Sequence, residues 1–169
     1  MAEPMPTYEE WPDTYDDLYD FFHSNEYRLM KLKEQDMSTN WAHDIYMMHN
    51  KFGTHKAMHA MDNEKLKKFL EFRINFLQEE LNEMKNAESA EDVVDALIDL
   101  CVVAIGTLDA YNVDANKAWD EVLEANLNKE VGVKASRPNP LGLPDLIKPE
   151  GWKGPNHEGN HGMLPHVFE

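Results

Sequence analysis

The chain has 169 residues and a single cysteine, and its 16 Lys and Arg face 32 Asp and Glu for a formal net charge of −16. That length suits one domain with its own core, held without disulfide staples. The charge argues against a nucleic-acid polymer as partner, because phosphate backbones are bound by basic surfaces; a nucleotide stays open, because metal ions bridge two negative partners. No run approaches the apolar length of a membrane span, the acidic N-terminal stretch does not read as a signal or transit peptide, and the lone Cys101, in an apolar run, fits a small core residue in a reducing cytoplasm.

Residues 1–25 carry seven acids and no Lys or Arg. A helix is predicted from Thr14 to about Lys33, with Thr14 and Asp17 as a capping pair and Leu18, Phe21, Phe22, Leu29 and Leu32 as its apolar set. Residues 1–40 thus read as an acidic helical extension that packs on the main bundle or on a partner subunit. Ser38, Thr39 and Asn40 offer a cap for a second helix, Trp41 to about Phe52, ended by Gly53. His49, Met47 and Phe52 make it a candidate base-stacking surface, although such a stripe is more often core. His43, His49, His55 and His59 invite a zinc reading, but no cysteine joins them and spacing alone carries little weight.

Lys65 to Leu108 reads as two helices joined at residues 86–88. On the first, Leu66, Phe69, Leu70, Phe76, Leu77 and Met84 form one apolar stripe, with Glu80 in its middle and Glu83 at its edge. The second is apolar nearly all round from Val93 to Leu108, which predicts burial; Asp95 and Asp99, one turn apart, are its only charges there, and no Lys or Arg lies in it. Carboxylates rarely enter a core without a partner. Glu80, Glu83, Asp95 and Asp99 therefore point to a cation, and oxygen ligands suit Mg²⁺ or Mn²⁺. Glu79 and Asp92 are further candidates, Glu79 also fitting a solvated surface acid and Asp92 a capping box with Ser89. The competing structural reading is an ion pair from Lys67, Lys68 or Arg73.

Asp114 is predicted to cap a last helix from Ala115 to about Glu130, and Asn126 and Lys129 share one of its faces. A Lys there suits a phosphate as a point charge, or simply complements the helix dipole. Beyond Gly132, prolines and glycines predict an extended tail without regular elements, anchored by Trp152; Lys134 and Arg137 are additional candidates for phosphate contact. Glu158-Gly-Asn-His161 is the only Glu-x-x-His, and its position outside any helix argues against a di-iron or di-manganese bundle.

The run Glu79-Glu80-Leu81-Asn82-Glu83, then Asp95 to Leu100, Gly106-Thr107 and Asn126-Leu127-Asn128-Lys129 resembles the MazG-like all-α nucleoside triphosphate pyrophosphohydrolases. This superfamily includes phosphoribosyl-ATP pyrophosphohydrolases, dimeric dUTPases and small single-domain members, many encoded by bacteriophages. The likeness spans about residues 63–152. The family's Glu-x-x-Glu falls on Glu80 and Glu83, and its Glu-x-x-Asp ends on Asp99. Ala96 stands where the second motif has its Glu, so Asp95, on the same helix face, is the substitute.

The resemblance implies a core over residues 41–131, a tail over 132–169 packing on it, and a four-helix core completed by oligomerisation as a homodimer or homotetramer. It implies a nucleoside triphosphate, notably a deoxynucleotide, as substrate. Cleavage falls between the α and β phosphates, with two or more Mg²⁺ ions (Mn²⁺ able to substitute) on Glu80, Glu83, Asp95 and Asp99. Glu80 and Glu83 carry catalysis, and Asn126 and Lys129 reach the phosphates. The rival reading is an acidic helical adaptor without catalysis, which explains the charge but not carboxylates on an apolar helix face.

Overall fold

The computed structural model describes residues 40–134 and 145–169. The helix expected over Thr14–Lys33, the proposed 1–40 extension up to residue 39, and Arg137 lie outside the described residues.

Helix α1 (Trp41–Phe52) turns Ile45 and His49, one turn apart, inward and ends at Gly53, whose φ of 74° is the left-handed conformation a helix corner needs. A short helix that the periodicity did not reveal, α2 (Thr54–His59), follows and buries Met58. Asp62 caps the 24-residue α3 (Asn63–Asn86) by accepting from the Lys65 backbone. Ser89 and Asp92 form a full capping box at the start of α4 (Ala90–Ala110). Asp114 caps α5 (Ala115–Leu127) as its sequence predicts.

α3 and α4 form an antiparallel hairpin, and contacts along it fix the register. The Tyr111 hydroxyl donates to the Leu66 carbonyl at 2.5 Å, while Arg73 donates to Val103 and Thr107. The apolar core lies at the end where α3 begins and α4 finishes. Met58, Leu66, Ala110, Tyr111, Val113 and Val167 are buried together there. α1 lies along α4.

Two expectations need correction. α5 stops at Leu127 instead of running to Glu130, and the tail is not without regular structure. Strand β1 (Glu130–Gly132) pairs antiparallel with β2 (Asp145–Ile147), matching Val131 with Leu146. Gly132 permits this ribbon, since a Cβ there would stand 2.6 Å from Ile147 Cδ1. Farther on, a 3-10 helix (Leu164–Val167) inserts Val167 into the core. The buried Asn160 side chain accepts from the Asp114 amide and donates to its carbonyl, both at 2.9 Å. Gly162 passes so close to Tyr111 that a Cβ would lie 2.0 Å from its carbonyl oxygen. The tail is thus stapled to the α4–α5 turn by polar contacts that hydrophobic periodicity does not register. Trp152 does anchor it, donating from Nε1 to the Ala125 carbonyl at 2.7 Å.

A further correction concerns α4. Its apolar circumference predicts burial, yet in the single chain Val94 is 60 %, Leu97 46 % and Ile98 45 % exposed. The fold is mostly helical with a small ribbon, and among the described residues no helix is long and apolar enough to cross a membrane.

Candidate functional site

The α3–α4 hairpin holds the acidic group. Glu80 sits among the apolar residues of α3 and is only 6 % exposed, and its Oε2 is buried without a hydrogen-bond partner. Desolvation by burial, followed by repulsion from Glu83, Asp99, Glu79 and Asp95, raises its pKa above the ordinary 4.5. Those causes place five carboxylates in one field, two helices contributing to it. Asp99 is half-buried; Glu79, Glu83 and Asp95 are exposed.

The ion-pair alternative is not what the side chains do. Among the described residues, no Lys or Arg pairs with Glu80, Glu83, Asp95 or Asp99. Arg73 donates instead from Nε to Thr107 Oγ1 at 2.9 Å and from Nη2 to the Val103 carbonyl at 2.7 Å, and burial lowers its pKa. Lys68 reaches Glu64 at 4.0 Å on the surface. Asp92 is committed to its cap: its Oδ2 accepts from the Glu88 and Ser89 amides, and the Ser89 side chain first, then those amides, lower its pKa. An unpartnered buried oxygen among carboxylates, with no Lys or Arg of the described residues paired to it, fits a hard divalent ion.

A second group was only half visible in the sequence. His49 from α1 and His55 from α2 flank Asp109 in the last turn of α4. His49 Nδ1–H donates to Asp109 Oδ2 at 2.6 Å and His55 Nε2–H to the same oxygen at 2.8 Å. The three ligand atoms lie within 4.8 Å of one another, so the group can hold a metal ion. The histidines stood out in the sequence, but Asp109 did not. Its signal was an acid at a helix C-terminus, where the macrodipole disfavours negative charge and a donor is called for. Gly106 lets this corner close: a Cβ there would meet Arg73 Nη2 at 3.0 Å and His49 at 3.4 Å.

The other candidates are more scattered. His49 is buried and turned to Asp109, whereas Met47 and Phe52 are 52 % and 71 % exposed, so the three do not share one surface. Asn126 and Lys129 do meet, Lys129 Nζ donating to Asn126 Oδ1 at 2.6 Å, and Lys129 also lies over the Trp152 ring. Lys134 is half-buried just past β1. A groove of about 480 Å³ runs between α5 and the tail, lined by Glu121, Glu124, Glu150 and Trp152 among others. Its acidic lining does not suit phosphate without a metal.

The sequence model of the phosphoribosyl-ATP pyrophosphohydrolase family, within the MazG-like superfamily, matches residues 48–126. The match begins in α1, spans both carboxylate-bearing helices and ends in the last turn of α5, short of the tail. No curated protein matches the chain in sequence. The match and the His49–His55–Asp109 group together support a metal-binding, hydrolase-type site.

Proposed function

We propose that the chain is a MazG-like nucleoside triphosphate pyrophosphohydrolase, cleaving a triphosphate, preferentially a deoxynucleotide, between its α and β phosphates to give monophosphate and pyrophosphate. One observation carries this reading: the buried Glu80 carboxylate, its Oε2 without a partner, among Glu83, Asp95 and Asp99, with no basic side chain of the described residues paired to any of them. The family match over this hairpin supports it. Glu80, Glu83, Asp95 and Asp99 would hold Mg²⁺ or Mn²⁺, with Glu79 beside them. When bound, such ions neutralise phosphate charge and make an attacking water more acidic.

The side chains divide the remaining work. Glu80 or Glu83 orients the water and takes its proton, a role that needs a carboxylate ionised under working conditions. Lys129, positioned by Asn126, supplies positive charge to the phosphates, with Lys134 and Arg137 as reserves. Met47 and Phe52, both exposed on α1, are separate candidates for contact with the base.

The same reading pairs two copies of the chain. Val93, Val94, Leu97 and Ile98 on α4 and Phe72 and Ile74 on α3 are exposed apolar residues on the helices that carry the acids. A second hairpin packed there would complete a four-helix core, as a dimer or a tetramer of two such dimers. Light scattering should show at least twice the 19.6 kDa chain mass; a stable, active monomer would remove this part of the proposal.

Pyrophosphate release from the eight common NTPs and dNTPs, with and without Mg²⁺, tests the activity. Metal-dependent monophosphate and pyrophosphate are expected. Diphosphate plus inorganic phosphate, or no turnover of any of the eight, would refute it.

A further inference from the structure

We infer that His49, His55 and Asp109 form a second, separate metal site that takes a transition-metal ion of the Zn²⁺ type and clamps the α1–α2 corner onto the end of α4. Two imidazole nitrogens and a carboxylate oxygen are the donor set of four-coordinate zinc, the fourth position going to water; Mg²⁺ prefers oxygen donors throughout. Both nitrogens already converge on one oxygen, at 2.6 and 2.8 Å. Zn–N and Zn–O distances of about 2 Å in a tetrahedron would open these contacts by roughly half an ångström. The metal would replace the two ring protons that now point at Asp109 Oδ2.

The site is built rather than incidental. His49 and Asp109 side chains are 10 % and 15 % exposed, and His55, at 24 %, leaves one side open to solvent. Gly53, with φ 74°, makes the corner that turns the two histidines to the same point. The Tyr46 ring lies against His55, their centroids 5.1 Å apart, which limits its rotation. Asp109 lies ten residues beyond Asp99 on a continuous helix, about 15 Å along its axis. One ion therefore cannot serve both groups, and the clamp does not depend on the acidic group being catalytic.

The test uses the untagged full-length chain, stripped with EDTA and titrated with ZnCl₂ in excess Mg²⁺. One Zn²⁺ per chain is expected by calorimetry, with a raised melting temperature, in the wild type and in Glu80→Gln alike. His55→Gln and Asp109→Asn should weaken binding by at least about 10–100-fold, the loss typical even of groups one shell further from a metal. Co²⁺ should give the visible absorption of a four- or five-coordinate ion, lost in His55→Gln. His55 is the least buried of the three, so its variant keeps the test decisive should Asp109→Asn fail to fold. Absence of Zn²⁺ uptake by the wild type, or uptake unchanged in His55→Gln, would overturn the assignment in favour of a hydrogen-bonded trio or adventitious surface histidines.

Discussion

The acidic group and the His–Asp–His group both draw carboxylates from α4, but solve the burial of charge in opposite ways. Asp109 is satisfied by the chain itself, with two ring N–H groups on one oxygen. Glu80 has a buried oxygen with no partner and four other acids around it. A protein tolerates that cost when something outside the chain relieves it. The first arrangement pairs its charge within the chain; the second leaves a buried oxygen for which a cation is the proposed partner.

Removing Glu80 should produce the largest effect on function. Glu80→Gln should lower pyrophosphohydrolase turnover by about 10²–10⁴-fold, the range for losing a catalytic base, while leaving circular dichroism unchanged. Turnover at the wild-type level would mean the unpartnered carboxylate is not the active centre. Asp99→Asn should behave alike, and Asp95→Asn should also lose most activity; full activity in the latter would break the substitution of Asp95 for the missing motif acid at Ala96.

Asp109→Ala should reverse that pattern. It removes the acceptor of two hydrogen bonds to a charged group, each worth about 1.5–3 kcal/mol, and should lower the melting temperature by several degrees. Residual turnover measured well below that temperature should stay near normal. Loss of activity in a folded Asp109→Ala chain would merge the two groups into one site.

How far these groups could be read beforehand follows from what holds each together. The hairpin, the capping residues Ser89, Asp92 and Asp114, and the position of Glu80 within an apolar stripe all follow from helical periodicity and local hydrogen bonding, which are written within a few residues. Asp109 meets residues 54 and 60 positions away, and Asn160 reaches back 46 to Asp114, contacts that no local pattern encodes. The ribbon was missed because three-residue strands are too short to show alternation. The apolar circumference of α4 was legible, but which neighbours cover Val94, Leu97 and Ile98 is not written in a local pattern.

Acid should separate the two groups again in metal-free protein. Burial and neighbouring carboxylates raise the folded-state pKa of Glu80 above 4.5, so the folded state holds this proton more tightly than the unfolded one. The stability it contributes is present below 4.5 and is lost as pH rises through the raised folded value. Relative to Glu80→Gln, wild-type melting temperature should therefore fall as pH increases across that window. Parallel profiles for the two proteins would show that Glu80 feels no such field, and saturating Mg²⁺ should abolish the wild-type penalty at neutral pH.

The smallest effect belongs to Gly106→Ala, between the two groups. Replacing Gly by Ala inside a helix favours folding by about 1 kcal/mol. Against that, the new methyl would stand 3.0 Å from Arg73 Nη2 and 3.4 Å from the His49 ring. Arg73 cannot simply swing aside, because that same nitrogen donates to the Val103 carbonyl at 2.7 Å. The two contributions nearly cancel, so stability should change by less than about 1 kcal/mol. The crowding falls on His49 and not on Glu80, seven residues or about 10 Å farther along α3 from Arg73. Zn²⁺ affinity should accordingly drop while Mg²⁺-dependent turnover holds. A variant that lost turnover and kept its Zn²⁺ affinity would show that the Arg73 contact with α4 positions the carboxylates, tying together groups that are otherwise independent.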